Sequence, residues 1–97
     1  MFTVIVHFDT TAENQLQALE EIGTYIEDFL SRQDGFLRSR LHRALDGSGL
    51  VHYALWRSED DFRAAGAKAR EHPALPGLMQ YNPRGQYYDV SREFSAG

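Results

Sequence analysis

No cysteine occurs in the 97 residues, which removes disulfides, thiolate metal sites and a cysteine nucleophile together. Basic residues are in deficit as well. Ten against fourteen acids give a formal net charge of −4, the wrong sign for a surface that tracks phosphates, so nucleic acid is not an expected partner. No apolar run approaches the roughly 18 residues of a membrane span. The start, Met1-Phe2-Thr3-Val4-Ile5-Val6-His7, lacks the basic region and long apolar stretch of a signal peptide. A cytoplasmic protein without a membrane partner is the expectation. The length leaves room for one domain, residues 1–97. A domain this short buries only about 60–65% of its unfolded surface and commonly leans on oligomerisation for stability.

What is present alternates between two periodicities. Phe2, Val4, Val6 and Phe8 share one parity and predict a first strand. Thr10-Thr11-Ala12-Glu13 matches a capping box led by Thr10, and a helix to about Leu30 should follow. Leu16, Leu19, Ile22, Ile26, Phe29 and Leu30 then span an arc of roughly 140°. Gly23 falls inside that arc, where it would permit close approach to a sheet. A second strand runs from Phe36 to Leu45, with Leu37, Leu41 and Leu45 on one side and Arg38, Arg40 and His42 on the other. Asp46-Gly47-Ser48-Gly49 turns the chain into a return strand, Leu50 to Trp56. Ser58 caps a second helix whose opening acids Glu59, Asp60 and Asp61 suit the positive end of its dipole and need no metal. Its inner face, Phe62, Ala65, Gly66 and Ala69, is mostly small, so the helix either packs very close to the sheet or leaves a cavity. His72-Pro73 ends it. Loops at Pro76-Gly77 and Asn82 to Gly85 precede a last strand, Gln86 to Phe94, and the tail Ser95-Ala96-Gly97.

Strand, helix, strand, strand, helix, strand is the split βαβ order of the ferredoxin-like α+β fold, with a four-stranded antiparallel sheet. Both helices cover one sheet face. The other carries Ile5, Val51, Tyr53 and Leu55, more apolar than a solvated face should be, so two copies are expected to pair sheet to sheet as a homodimer.

The segments Gln33-Asp34-Gly35-Phe36-Leu37, Leu41-His42-Arg43-Ala44-Leu45-Asp46-Gly47 and His52-Tyr53-Ala54-Leu55-Trp56-Arg57-Ser58-Glu59-Asp60-Asp61-Phe62 resemble the antibiotic biosynthesis monooxygenase family. The resemblance implies a dimeric α+β barrel. It also implies oxidation of a small aromatic polyketide-like substrate with O2, anthrone to quinone, using no metal, flavin or haem. Trp56 matches the pocket tryptophan of quinone-forming members. His52 stands where those members usually carry an asparagine, and Phe62 where a tyrosine is expected. Arg84 is the candidate for a contributing basic residue. Haem-degrading relatives use a histidine and a tryptophan on the second helix, which here offers Ala64, Gly66 and Ala67. Relatives also include cyclases, isomerases and proteins of unknown role, so a non-oxidative enzyme and a non-catalytic binding dimer stand as alternatives.

The residues themselves support a site. His52, Ala54 and Trp56 share one strand parity, so imidazole and indole project to one face with a gap over Ala54. A histidine titrating near 6.5 suits a general base for a phenolic or enolic proton. The competing reading makes His52 a hydrogen-bonded core residue and Trp56 core filler. Tyr25, at the border of the helical arc, is the favoured pocket tyrosine, and His7 is a further candidate from the first strand. The four histidines show no pairing at metal-ligand spacing.

Overall fold

The computed structural model describes residues 1–97. Its central strand is β1, Phe2–Asp9, flanked on one side by β3, Gly49–Trp56, and on the other by β4, Arg84–Asp89. β2, Phe36–Arg43, forms the far edge, giving the order β2-β3-β1-β4 with every neighbouring pair antiparallel. This is the ferredoxin-like arrangement. Two helices, α1 (Gln15–Asp28) and α2 (Glu59–Ala69), and a single helical turn, α3 (Leu75–Leu78), complete the fold.

Register decides which side chains meet. Phe2, Val4, Val6 and Phe8 lie opposite Trp56, Ala54, His52 and Leu50, and all eight face the helices. Thr3, Ile5 and His7 oppose Leu55, Tyr53 and Val51 on the outer face. β2 differs from expectation at its start. An irregularity between Phe36 and Arg38 takes Leu37 out of the pairing, so Phe36 faces inward against Trp56 while Leu37 is exposed. Leu41 still packs against the core, Leu45 projects into solvent, and Arg38, Arg40 and His42 occupy the outer face as the pattern required.

The start of α1 is displaced from the capping box read in the sequence. Thr10 Oγ1 donates to the Gly47 carbonyl at 2.6 Å and is thereby committed to the β2–β3 turn. The reciprocal cap forms one residue later. The Thr11 N–H donates to Asn14 Oδ1 at 2.8 Å and the Asn14 N–H to Thr11 Oγ1 at 3.2 Å. Gln15 then turns inward, its Nε2 donating to the Ala44 and Gly49 carbonyls at 2.9 and 3.2 Å. That anchor sets the helix rotation. Gln15, Ala18 and Ile22 are buried, whereas Leu16, expected inside, is exposed. Gly23 makes no close approach, for a Cβ there would meet nothing within 4 Å. A true requirement for glycine falls at Gly47, where φ is +83° and a Cβ would sit 2.9 Å from Ala12 Cα.

α2 begins as read, with Ser58 Oγ accepting the Asp61 N–H at 3.2 Å. Its acids are engaged by arginine: Arg57 bonds Asp61 through two N–H groups, and Arg63 bonds Glu59. The helix stops at Ala69, short of His72-Pro73, where the His72 Nδ1 accepts the Ala74 N–H at 3.0 Å. The last strand is shorter than the reading, ending at Asp89, so Val90 and Phe94 lie outside the sheet and are exposed.

Candidate active site

Between the sheet and the helices the interior divides into a filled part and an empty one. In the filled part, Val4, Ala54, Trp56 and Ala65 form a buried cluster. The indole is wholly enclosed, with Phe36 and Phe62 edge-on at 5.3 and 5.5 Å. The space over Ala54 is therefore occupied by packing, and the hollow expected there between His52 and Trp56 is absent.

The hollow lies further along β3. A cavity of about 220 Å³ is walled on the sheet side by Val6, Phe8 and His52, and on α1 by Ile22, Tyr25 and Ile26. α2 contributes Phe62, Gly66 and Ala69, and the segment after it closes the space with Leu75, Leu78 and Pro83. The small face of α2 thus leaves a cavity, as one branch of the sequence reading required. Gly66 is the clearest cause, since a Cβ there would meet nothing within 4 Å. α3 escaped the sequence reading, although Pro76 in the first turn of a helix was a usable signal.

His52 is 4% exposed, and its Nε2 is sealed from water without any hydrogen-bond partner. The hydrogen-bonded core histidine of the competing reading is therefore not what is found at that atom. A buried unpaired nitrogen of this kind costs about 1–3 kcal/mol. Burial also depresses the imidazole pKa from 6.5 to about 4, so the ring is neutral at physiological pH. Tyr25 is half-buried, packed against Phe29 and against His72 edge-on at 5.2 Å, and burial pushes its phenol upward from 10.0. It remains a hydroxyl donor at neutral pH.

The other sequence candidates divide. Phe62 reaches the cavity and also touches the indole, so Trp56 meets the site only through that ring. His7 is exposed on the outer sheet face, because its parity on β1 is opposite to that of Val6 and Phe8. Arg84 lies beside it in register and is held by Asp9, with Nη1 and Nη2 each 3.0 Å from a carboxylate oxygen. Neither His7 nor Arg84 lines the cavity.

Comparison with known proteins fits this architecture. Residues 1–70 match the family described as antibiotic biosynthesis monooxygenase. Over 97 residues the chain is 31% identical to tetracenomycin-F1 monooxygenase of Streptomyces glaucescens, covering 99% of this chain and 87% of that protein. Among solved structures, the monooxygenase from the gene ActVA-Orf6 of Streptomyces coelicolor, in complex with nanaomycin D, superposes with a TM-score of 0.83. That match has 22% identity and covers 99% of this chain and 92% of the other. SnoaB, a cofactor-independent oxygenase from Streptomyces nogalater, gives a TM-score of 0.78 at 21% identity, covering 98% and 97%. At those identities the two structures report a shared fold. The family match over most of the chain and the 31% identical relative carry the further conclusion that this chain belongs to the antibiotic biosynthesis monooxygenase family.

Proposed function

We propose that this chain is a cofactor-independent monooxygenase that oxidises a small aromatic, polyketide-like substrate of the anthrone type to a quinone with O2. The observation that carries the reading is that His52, whose buried Nε2 has no hydrogen-bond partner, stands with Tyr25 among the residues lining an otherwise apolar cavity. A substrate hydroxyl that displaces the packing over this enclosed nitrogen supplies the missing hydrogen bond, and Tyr25 can donate to a carbonyl elsewhere on the ring system.

The chemistry asks little more of the protein. His52 accepts the enolic proton of the bound substrate, leaving an electron-rich carbanion. In an apolar cavity the imidazolium is a poor product alone but a favourable one beside the anion it creates, so basicity rises as charge develops on the substrate. The anion passes one electron to O2, and the two radicals join as a carbon–oxygen bond, giving a hydroperoxide after protonation. Loss of the remaining C–H proton with cleavage of the O–O bond releases water. The methylene carbon has then lost two hydrogens and four electrons and gained one oxygen atom, and the second oxygen atom leaves as water. Apolar walls exclude solvent from the carbanion.

An oxygen electrode with anthrone as probe tests this. The expected result is enzyme-dependent uptake of one O2 per quinone formed, with kcat falling in His52→Ala while the substrate still binds. Uptake no faster than in buffer, or an unaltered kcat in the variant, would overturn the reading.

The same proposal includes a homodimer formed through the outer sheet face. Ile5 and Val51 are half-buried there, Leu55 is buried beside them, and Tyr53 remains 41% exposed. Apolar surface on a sheet face that no helix covers is a common mark of association. Sedimentation should give twice the 11.1 kDa chain mass, and Tyr53→Arg should shift it toward the monomer. A wild-type monomer at micromolar concentration would rule the interface out.

A further inference from the structure

The Nε2 of His52 is sealed from water, so a ligand reaches it only if one wall of the cavity yields. The walls are held unequally. Val6, Phe8 and His52 sit in strands with hydrogen-bonded neighbours on both sides. α1 is tied to the β2–β3 turn by Gln15, and α2 is capped at its start by Ser58. The roof, which carries Leu75, Leu78 and Pro83, has no such support. Its backbone hydrogen bonds stay within the roof and the end of α2, and none crosses to the sheet or to α1. A stretch bonded only to itself opens at lower free energy than a paired strand.

Side chains fasten the roof instead, and mostly at one end. Beyond Leu78, Tyr81 is buried with its hydroxyl donating to Glu21 Oε2 at 2.9 Å, and Asn82 Nδ2 donates to Asp9 Oδ2 at 2.9 Å. Before Leu75 the polar and aromatic fastenings reduce to His72. Its ring stands edge-on to Tyr25, with centroids 5.2 Å apart, and its centroid lies 4.7 Å from that of Phe29. Its Nδ1 accepts the Ala74 N–H, which fixes the ring to the stretch it holds down. Pro73 and Pro76 stiffen that stretch. Because Tyr25 lines the cavity, one side chain seats roof and wall together.

We propose that the stretch from His72 to Leu75 is the gate of the cavity and that His72 is its latch. When the ring leaves Tyr25 and Phe29, Leu75 lifts with it while the Tyr81 end stays fixed, and ligand passes between α1 and the roof. The latch presupposes the cavity reading above and adds how a ligand enters. His72 acts through its neighbours and touches no reacting atom, so it is a positioning residue.

Three variants separate its two attachments. His72→Ala loses ring and acceptor, His72→Phe keeps a ring, and His72→Asn keeps an acceptor for the Ala74 N–H. Hydrogen exchange reports the opening through the Leu75 and Leu78 amides, which donate to the His72 and Ala74 carbonyls. In His72→Ala both should exchange about tenfold faster, the size of a lost aromatic contact, while the Ile22 amide in α1 changes by less than about twofold. Stopped-flow binding of 1-naphthol, a fluorescent probe, should show entry and exit both about tenfold faster at nearly unchanged affinity, because a gate alters both rates alike. His72→Phe should return both readouts toward the wild type, and His72→Asn should not. Equal acceleration at Ile22, unchanged exchange at Leu75, or weaker naphthol binding at an unaltered entry rate would overturn the latch. Neither readout needs turnover, so a chain that consumes no O2 yet responds in this way keeps the gate and loses the oxidation. A wild type that binds no naphthol would overturn both.

Discussion

Trp56 and His52 stand on the same strand, on the same face, yet their surroundings are built in opposite ways. Around Trp56, small residues from strand and helix, Ala54 and Ala65, are matched by a large ring that fills the space they leave. Around His52, small residues on α2, Gly66 and Ala69, are matched by nothing, and the space stays open. Small side chains alone do not make a pocket. They make one where no neighbouring ring can swing in, and here Phe62 is already held by the indole. The filled end stabilises the fold, and the hollow end carries an unpaired nitrogen.

That contrast can be broken at several points. The largest effect is expected from Trp56→Ala, which should lower unfolding free energy by about 4 kcal/mol, within the range for deleting a large buried aromatic. Chemical denaturation measures it, and a loss below about 1 kcal/mol would mean the filled end is not the structural half. Next comes pH. The unfolded chain binds a proton at His52 below 6.5, while the folded chain resists doing so until about 4. Stability should therefore fall as pH drops through that window, by about 3 kcal/mol in full below the lower value and by nothing above the upper one. Thermal melts of wild type and His52→Leu from pH 7 to 4 isolate this contribution as a difference in slope, and parallel curves would refute it. At pH 7, where the ring is neutral in both states, His52→Leu should gain about 1 kcal/mol by removing the orphan nitrogen and lose turnover. A variant both destabilised and active would reverse the assignment of roles. The smallest effect belongs to Gly66→Ala, which should stabilise α2 by about 0.7 kcal/mol, since the added methyl enters open space. A destabilised variant would show that the helix is closer to its neighbours than the cavity requires.

Much of this was legible in the chain itself, and the exceptions have local causes. Strand order, the Asp46–Gly49 turn and the Ser58 cap follow from short-range chemistry that little else competes for. The small face of α2 was visible as Ala65, Gly66 and Ala69, although whether it closed on the sheet was not. Thr10 was misread because the Gly47 carbonyl, distant in sequence, takes its hydroxyl. Leu16 was misread because Gln15, a polar residue that periodicity ignores, anchors α1 to the hairpin and sets its rotation. At Leu37 an irregularity in pairing inverted the parity of the strand's first residues. For the site, parity put His52 on the correct face but could not show that Phe36 and Phe62 would enclose Trp56, a matter of three elements meeting. His7 and Arg84 could be separated from the cavity only once β1 and β4 were in register.

The register of β1 also governs when the molecule can form. Phe2 lies opposite both Trp56 and Asp89, so β1 is completed only by the later strands β3 and β4. The β2–β3 hairpin closes a short loop, whereas seating the central strand requires long loops whose closure must precede any reward in contacts. During synthesis β1 therefore waits, and its open edges must be kept from other chains until β4 emerges.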